Sequence, residues 1–155
     1  MKTDTDSFAF SRRYALAPAR LWHLLTDPQM RSLWGAPSEN MVLQVLSEDL
    51  RVGGIERHRC GPAEAPDFEV ETRWYRLEAP EHAVFTETIE AGGARLGASL
   101  VTYRLAEGES GGSDLQISVA VSSFVGAGMI GDFRDGWTGG VENLDRLVAA
   151  QDAPA

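Results

Sequence analysis

Between residues 41 and 122 apolar and polar positions alternate with a period of two, while the stretches on either side are spaced as helices. The alternation predicts strands over 41–47, 55–60, 67–77, 83–90, 96–106 and 114–122, with one more over 8–14. The breaks fall at Gly53-Gly54, between Gly61 and Pro66, over 79–82, at Gly92-Gly93 and from Gly108 to Ser113. Sequential strands with tight connections predict an antiparallel meander. In 114–122, Leu115, Ile117, Val119 and Val121 face one way. In 67–77, Phe68, Val70, Thr72 and Trp74 oppose Glu69, Glu71 and Arg73, giving one buried and one wet face. The first strand sets Phe8, Phe10, Arg12 and Tyr14 on one side.

Two short helices follow that strand. Pro18 opens the first, where its missing N–H costs nothing, and Leu21, Leu24 and Leu25 form the buried side with Trp22 at the edge. Asp27 caps the second and Pro28 begins it; it carries Met30, Leu33 and Trp34 and stops at 35–37. Near the other end Ile130, Phe133, Trp137, Val141, Leu144 and Val148 recur every three or four residues as one apolar stripe. Asp132 and Asp135 are expected in its opening turns and Arg146 near its close, matching the helix dipole. Residues 151–155 are expected to fray.

A long amphipathic helix must lay its stripe on the apolar face of the sheet, and a twisted sheet of about seven strands curls around it. The fold class is therefore α+β, a helix-grip cup, in one domain over 1–155 with an ordered core of about 8–149. Its wall draws on Trp34, Trp74, Phe85, Tyr103, Phe133 and Trp137. Aromatics at such spacing serve either as plain packing or as the lining of a cavity. Gly136, Gly139 and Gly140 lie inside the last helix, where glycine costs about 1 kcal/mol relative to Ala. They either leave room for a ligand beside Trp137 or mark a kink or a close contact with the rest of the fold.

Composition narrows the class. Hydrophobic residues make up 43% and charged residues 24%, ordinary for a globular chain. A formal net charge of −9 argues against nucleic acid. No apolar run approaches the about 20 residues of a membrane span, and residues 1–6 lack the pattern of a secretory signal. A lone Cys60 excludes an internal disulfide and fits a reducing, cytoplasmic setting.

Four segments, in order, carry a family likeness. They are Pro18-Ala19-Arg20-Leu21-Trp22 with Thr26-Asp27-Pro28 and Leu33-Trp34-Gly35; 49–54, from Asp49 to Gly54; 77–86, from Leu77 to Thr86; and Gly136-Trp137 with 143–147. On these the chain resembles the START-like (SRPBCC, Bet v 1-like) superfamily. Within it, the chain is similar to bacterial proteins related to the C-terminal domain of the Hsp90 ATPase activator, over about 8–149. The resemblance implies a helix-grip fold and a role in binding lipids, hormones or polyketides, or in catalysis on them; it implies no contact with Hsp90. The glycine-rich stretch 137–140 departs from the family's bulkier residues and bears on the pocket's shape.

Candidate chemistry is sparse. Residues 126–131 spell GxGxxG, but no second parallel strand follows, so nucleotide binding is rejected and the glycines read as a flexible lead-in to the last helix, or a gate. His58 and Cys60 share a strand face, yet no further ligand pair accompanies them, so neither a metal nor any other cofactor is implied. If Phe85 and Ile89 point inward, period two takes Glu87 inward as well, where it needs a partner such as Arg57 or Arg59, or a proton. The ordinary alternative puts these charges on a solvated outer face. The candidate ligand-binding set is Trp34, Arg57, Trp74, Phe85, Glu87, Tyr103, Phe133 and Trp137, and the partner it predicts is a small hydrophobic molecule. Two other functions fit the same residues: a ketide cyclase or hydrolase using Glu87 or His58 for proton transfer, and an interaction module such as a co-chaperone-like adaptor or a homodimer.

Overall fold

The computed structural model describes residues 4–152. Seven strands form one sheet: β1 (Asp4–Tyr14), β2 (Met41–Ser47), β3 (Ile55–Pro62), β4 (Phe68–Glu78), β5 (His82–Ala91), β6 (Ala94–Glu107) and β7 (Ser113–Ser123). Helices α1 (Pro18–Thr26) and α2 (Pro28–Trp34) follow β1, and α3 (Ala127–Asp152) follows β7. Every neighbouring pair is antiparallel, in the order β1-β7-β6-β5-β4-β3-β2. The α+β helix-grip architecture expected from the periodicity is the one observed. Register shifts at Val45/Ser47, Trp74/Arg76 and Ile89/Glu90 are the bulges that let so wide a sheet bend.

The local signals act as expected at the first two helices. Pro occupies the opening turn of each, and the Asp27 side chain accepts from the Met30 N–H at 3.1 Å. Burial on α2 differs from the expected face. Pro28, Arg31 and Trp34 are buried at three-residue spacing, whereas Leu33 is exposed. A charged residue thus takes a place that hydropathy assigns to an apolar one.

Along α3 the buried stripe runs through Val141, Leu144 and Val148, with Phe133 and Trp137 half-buried against the same core. The helix begins at Ala127, so Gly128 and Gly131 lie within it instead of forming its lead-in, and neither its first turn nor its last carries the expected charges. The helix runs to Asp152, which limits the expected fraying; residues 153–155 lie outside the described ones. What anchors α3 is polar contact with β1. Asp145 accepts from Arg12 Nε at 3.0 Å and from the Tyr14 hydroxyl at 2.6 Å.

The inner glycines of α3 serve close contact. A Cβ at Gly139 would collide with the Pro37 carbonyl, and one at Gly140 would stand 3.4 Å from the Trp34 carbonyl oxygen. One turn on, Asn143 Nδ2 donates to the Ala36 carbonyl at 2.8 Å and to that of Trp34 at 3.3 Å. The Trp34 carbonyl is an acceptor left over at the end of α2 and Ala36 follows it in the turn, so this face of α3 is cut to receive the 34–37 segment.

Gly139→Ala should therefore destabilise the protein by about 1–3 kcal/mol through overpacking. Gly131→Ala, a turn inside α3 and with nothing within 4 Å of the added carbon, should stabilise it by about 0.5–1 kcal/mol. Thermal unfolding followed by circular dichroism checks both; equal melting of G139A and wild type would contradict the contact.

Candidate functional site

The register lays side chains across the concave face in rows. Glu56 of β3 pairs with Thr72 of β4, Thr72 with Glu87 of β5, and Glu87 with Ser99 of β6, making one polar row over four strands. On one side lies an apolar row, Trp74–Phe85–Val101–Val119–Phe8. On the other lies His58–Val70–Ile89–Gly97. Period two explains the polar row. It is two residues before Trp74, two after Phe85 and two before Val101, so apolar neighbours carry these polar side chains inward with them.

Arg31 reaches this face from α2. Its Nη1 is 3.7 Å from Glu56 Oε1 and its Nη2 3.9 Å from Glu87 Oε2. The guanidinium carbon stands 5.5 Å from the Trp74 ring centre and 5.0 Å from that of Phe85, in cation–π range. Glu56 also accepts from Trp74 Nε1 at 3.0 Å and from the Asp49 N–H at 3.2 Å. Five buried polar atoms have no hydrogen-bond partner among the described residues: Arg31 Nη1, His58 Nε2, Thr72 Oγ1, Ser99 Oγ and the Tyr103 hydroxyl. An unmet group of this kind costs about 1–3 kcal/mol, so five of them in one interior are a large expense for the fold alone.

Burial dominates the titration of the cluster. It raises the Glu87 carboxyl, against the lowering effect of Arg31. It raises Glu56 too, opposed by the Trp74 hydrogen bond and then by Arg31. It pushes His58 down to about 4, with Arg31 adding to the effect, so the imidazole is neutral at pH 7. Cys60 is driven up to about 11 by burial and then by Glu87, and stays an unreactive thiol. The Tyr103 hydroxyl is likewise raised by burial.

The structure sorts the expected site residues into three groups. Trp74, Phe85 and Tyr103 are fully buried and packed ring on ring, at 4.9 and 5.2 Å between centres. Phe133 and Trp137 are half-buried on α3. Trp34 is buried away from the rows, its Nε1 donating to the Leu24 carbonyl at 2.8 Å. Arg57 is on the outer face, where it pairs with Glu71 at 2.8 Å, and Arg59 pairs there with Glu69. Glu87 does point inward, so the solvated alternative fails for it. Its partner is Arg31, because β3 sends Glu56, His58 and Cys60 inward and its arginines outward.

Arg31, Glu56, His58, Thr72 and Ser99 complete the cluster. Thr72 follows from period two once Trp74 is set inward; Glu56, His58 and Ser99 follow only from the register between strands, and Arg31 only from the buried spacing Pro28–Arg31–Trp34 on α2. Among the described residues no group of three or more His, Cys, Asp or Glu could hold a metal ion. The deep rows are closed over, and the face opens toward solvent around Glu87, whose side chain is 13% exposed, and the half-buried Val70 and Ile89. A separate groove of about 700 Å³ lies outside the cup between α2, β2 and α3, lined in part by Leu33, Met41 and Leu147. No described helix is long and apolar enough to cross a membrane.

A sequence profile of the family described as Activator of Hsp90 ATPase homolog 1-like protein matches residues 15–149. Solved structures share the fold. Mll3558 from Rhizobium loti is 23% identical, with a TM-score of 0.77, covering 93% of this chain and 97% of that one. CV1439 from Chromobacterium violaceum is 25% identical, with a TM-score of 0.78 and coverage of 92% and 96%. The AHSA1 protein from Silicibacter pomeroyi is 19% identical, with a TM-score of 0.74 and coverage of 94% and 99%. No curated protein matches the chain.

The two ionisable groups predict opposite pH effects. With His58 lowered to about 4 in the fold, the unfolded chain takes up a proton first as pH falls from 6.5, and stability drops across that window. At about 1.4 kcal/mol for each tenfold change, the loss approaches about 3 kcal/mol, and His58→Gln should remove it. Glu87 is raised, so its contribution is present below pH 4.5 and lost as pH rises; Glu87→Gln should raise the melting temperature more at pH 8 than at pH 5. Melting curves of the two variants against wild type from pH 4 to 8 measure both, and parallel profiles would refute the assignment.

Proposed function

This chain belongs to the Activator of Hsp90 ATPase homolog 1-like family, and from that starting point we propose that it binds a small, mainly apolar molecule in the mouth of the cup. The reading is carried by one observation: the polar row on the concave face holds buried groups without partners directly beneath a part of the face that is open to solvent. A filled, purely structural core has no use for the unmet Thr72 and Ser99 hydroxyls, whereas a ligand's polar end gives them something to bond. Val70 and Ile89 supply the floor, Phe133 and Trp137 an aromatic wall, and Glu87 the accessible polar anchor. Trp74, Phe85 and Tyr103 lie deeper, under Arg31, and give this floor its rigidity. In this reading the protein works in the cytoplasm, where Cys60 remains a thiol.

One observation favours catalysis in the same cup. Burial keeps both Glu87 and His58 toward their uncharged forms, which makes a proton donor and a proton acceptor available in one interior. A small enzyme of the ketide cyclase or hydrolase type would use them so.

Titration with Nile red, a neutral apolar dye, tests the container. The wild type should bind about one dye per chain with blue-shifted emission. Ile89→Trp, which fills the mouth, should weaken that binding by about tenfold while the protein still melts cooperatively. Absence of saturable binding, or unaltered binding by I89W, would count against the cup.

A further inference from the structure

We infer that the molecule taken up in the cup carries a cationic amine, seated against the Glu87 carboxylate with the Thr72 and Ser99 hydroxyls as its other acceptors. The inference rests on the container reading and names the chemistry of its ligand.

It starts from a count of charges. The interior holds one guanidinium, Arg31, against two carboxylates, Glu56 and Glu87. The two carboxylates are unequally served. Glu56 has Arg31 at 3.7 Å and two N–H donors, from Trp74 and Asp49. Glu87 has Arg31 alone among the described residues, at 3.9 Å, beyond hydrogen-bond length. One buried negative charge is thus left without a counter-ion, a situation that proteins resolve with a proton or with a partner cation.

The neighbours of Glu87 decide which partner fits. Its cross-strand neighbours in the row are Thr72 and Ser99, 0% and 4% exposed, and neither hydroxyl oxygen has a partner among the described residues. One Glu87 carboxylate oxygen and the two free hydroxyl oxygens together offer three acceptors, matching the three N–H donors of a primary ammonium. The ammonium approaches from the side on which Glu87 meets solvent. At longer range the net charge of −9 draws cations toward the protein and repels carboxylates such as fatty acids. An anionic head group would add a third negative charge to an interior with one arginine, and a neutral one would leave the Glu87 charge to be resolved by a proton alone.

Three probes of like size separate the possibilities: 2-phenylethylamine, 2-phenylethanol and 3-phenylpropionate, each titrated at pH 7.5 and followed by amide chemical shifts. The amine should bind about tenfold more tightly than the alcohol, and the carboxylate weakest of the three. In Glu87→Gln the ratio of amine to alcohol affinity should fall close to 1. Alcohol binding as tight as that of the amine, the carboxylate binding best, or a ratio that survives in E87Q would each overturn the inference while leaving the container standing. Failure of all three probes to bind would overturn the container and the inference together.

Discussion

The guanidinium of Arg31, set under α2 between Glu56 and Glu87 and over the rings of Trp74 and Phe85, is the contact on which the interior depends. It offsets the charge of the carboxylates that strand alternation drives inward, and it closes the aromatic floor that the sheet's curvature would leave hollow. Without it two carboxylates would face each other across Thr72 in an apolar interior. Removing one member of such a buried group costs about 3–5 kcal/mol, because the survivors keep their desolvation penalty. The cluster is therefore expensive as packing and reasonable as a site.

Most of the fold was legible because it rests on periodicity. Alternation from Met41 to Ser122 gave the meander, Pro18 and Asp27-Pro28 gave the paired helices, and the stripe from Ile130 to Val148 gave the last helix. The site was harder for a physical reason: hydropathy reports what a side chain prefers, and these side chains sit where register puts them. Glu87 was traceable from Phe85 and Ile89. Glu56 and His58 were obscured because β3 has no apolar face from which to tell inside from outside, so Arg57 looked as eligible as His58. Arg31 was hidden by Leu33 and Met30, whose hydropathy suggests a different face for α2.

The glycines of α3 show a related division. Gly139 and Gly140 read as room for a ligand or, more readily, as a close contact or kink, and the Pro37 carbonyl and the end of α2 occupy the space. That contact, with the Asn143 and Asp145 bonds, fixes the second half of the helix against α2 and β1. The half that carries Phe133 and Trp137 is only half-buried, with Phe133 set edge-on against Phe8 of β1. Rigid support at one end and an accessible face at the other are what a binding cup on this scaffold needs.

The origin of Arg31 also bears on the order in which the chain assembles. The residues it meets belong to strands made later in the sequence, so its pairing is a long-range event that waits for β3, β4 and β5 to be in register. Until α2 docks, the guanidinium and both carboxylates remain hydrated and the half-built sheet carries no penalty for holding them. The dehydration cost therefore falls on whichever step seats that seven-residue helix against the sheet.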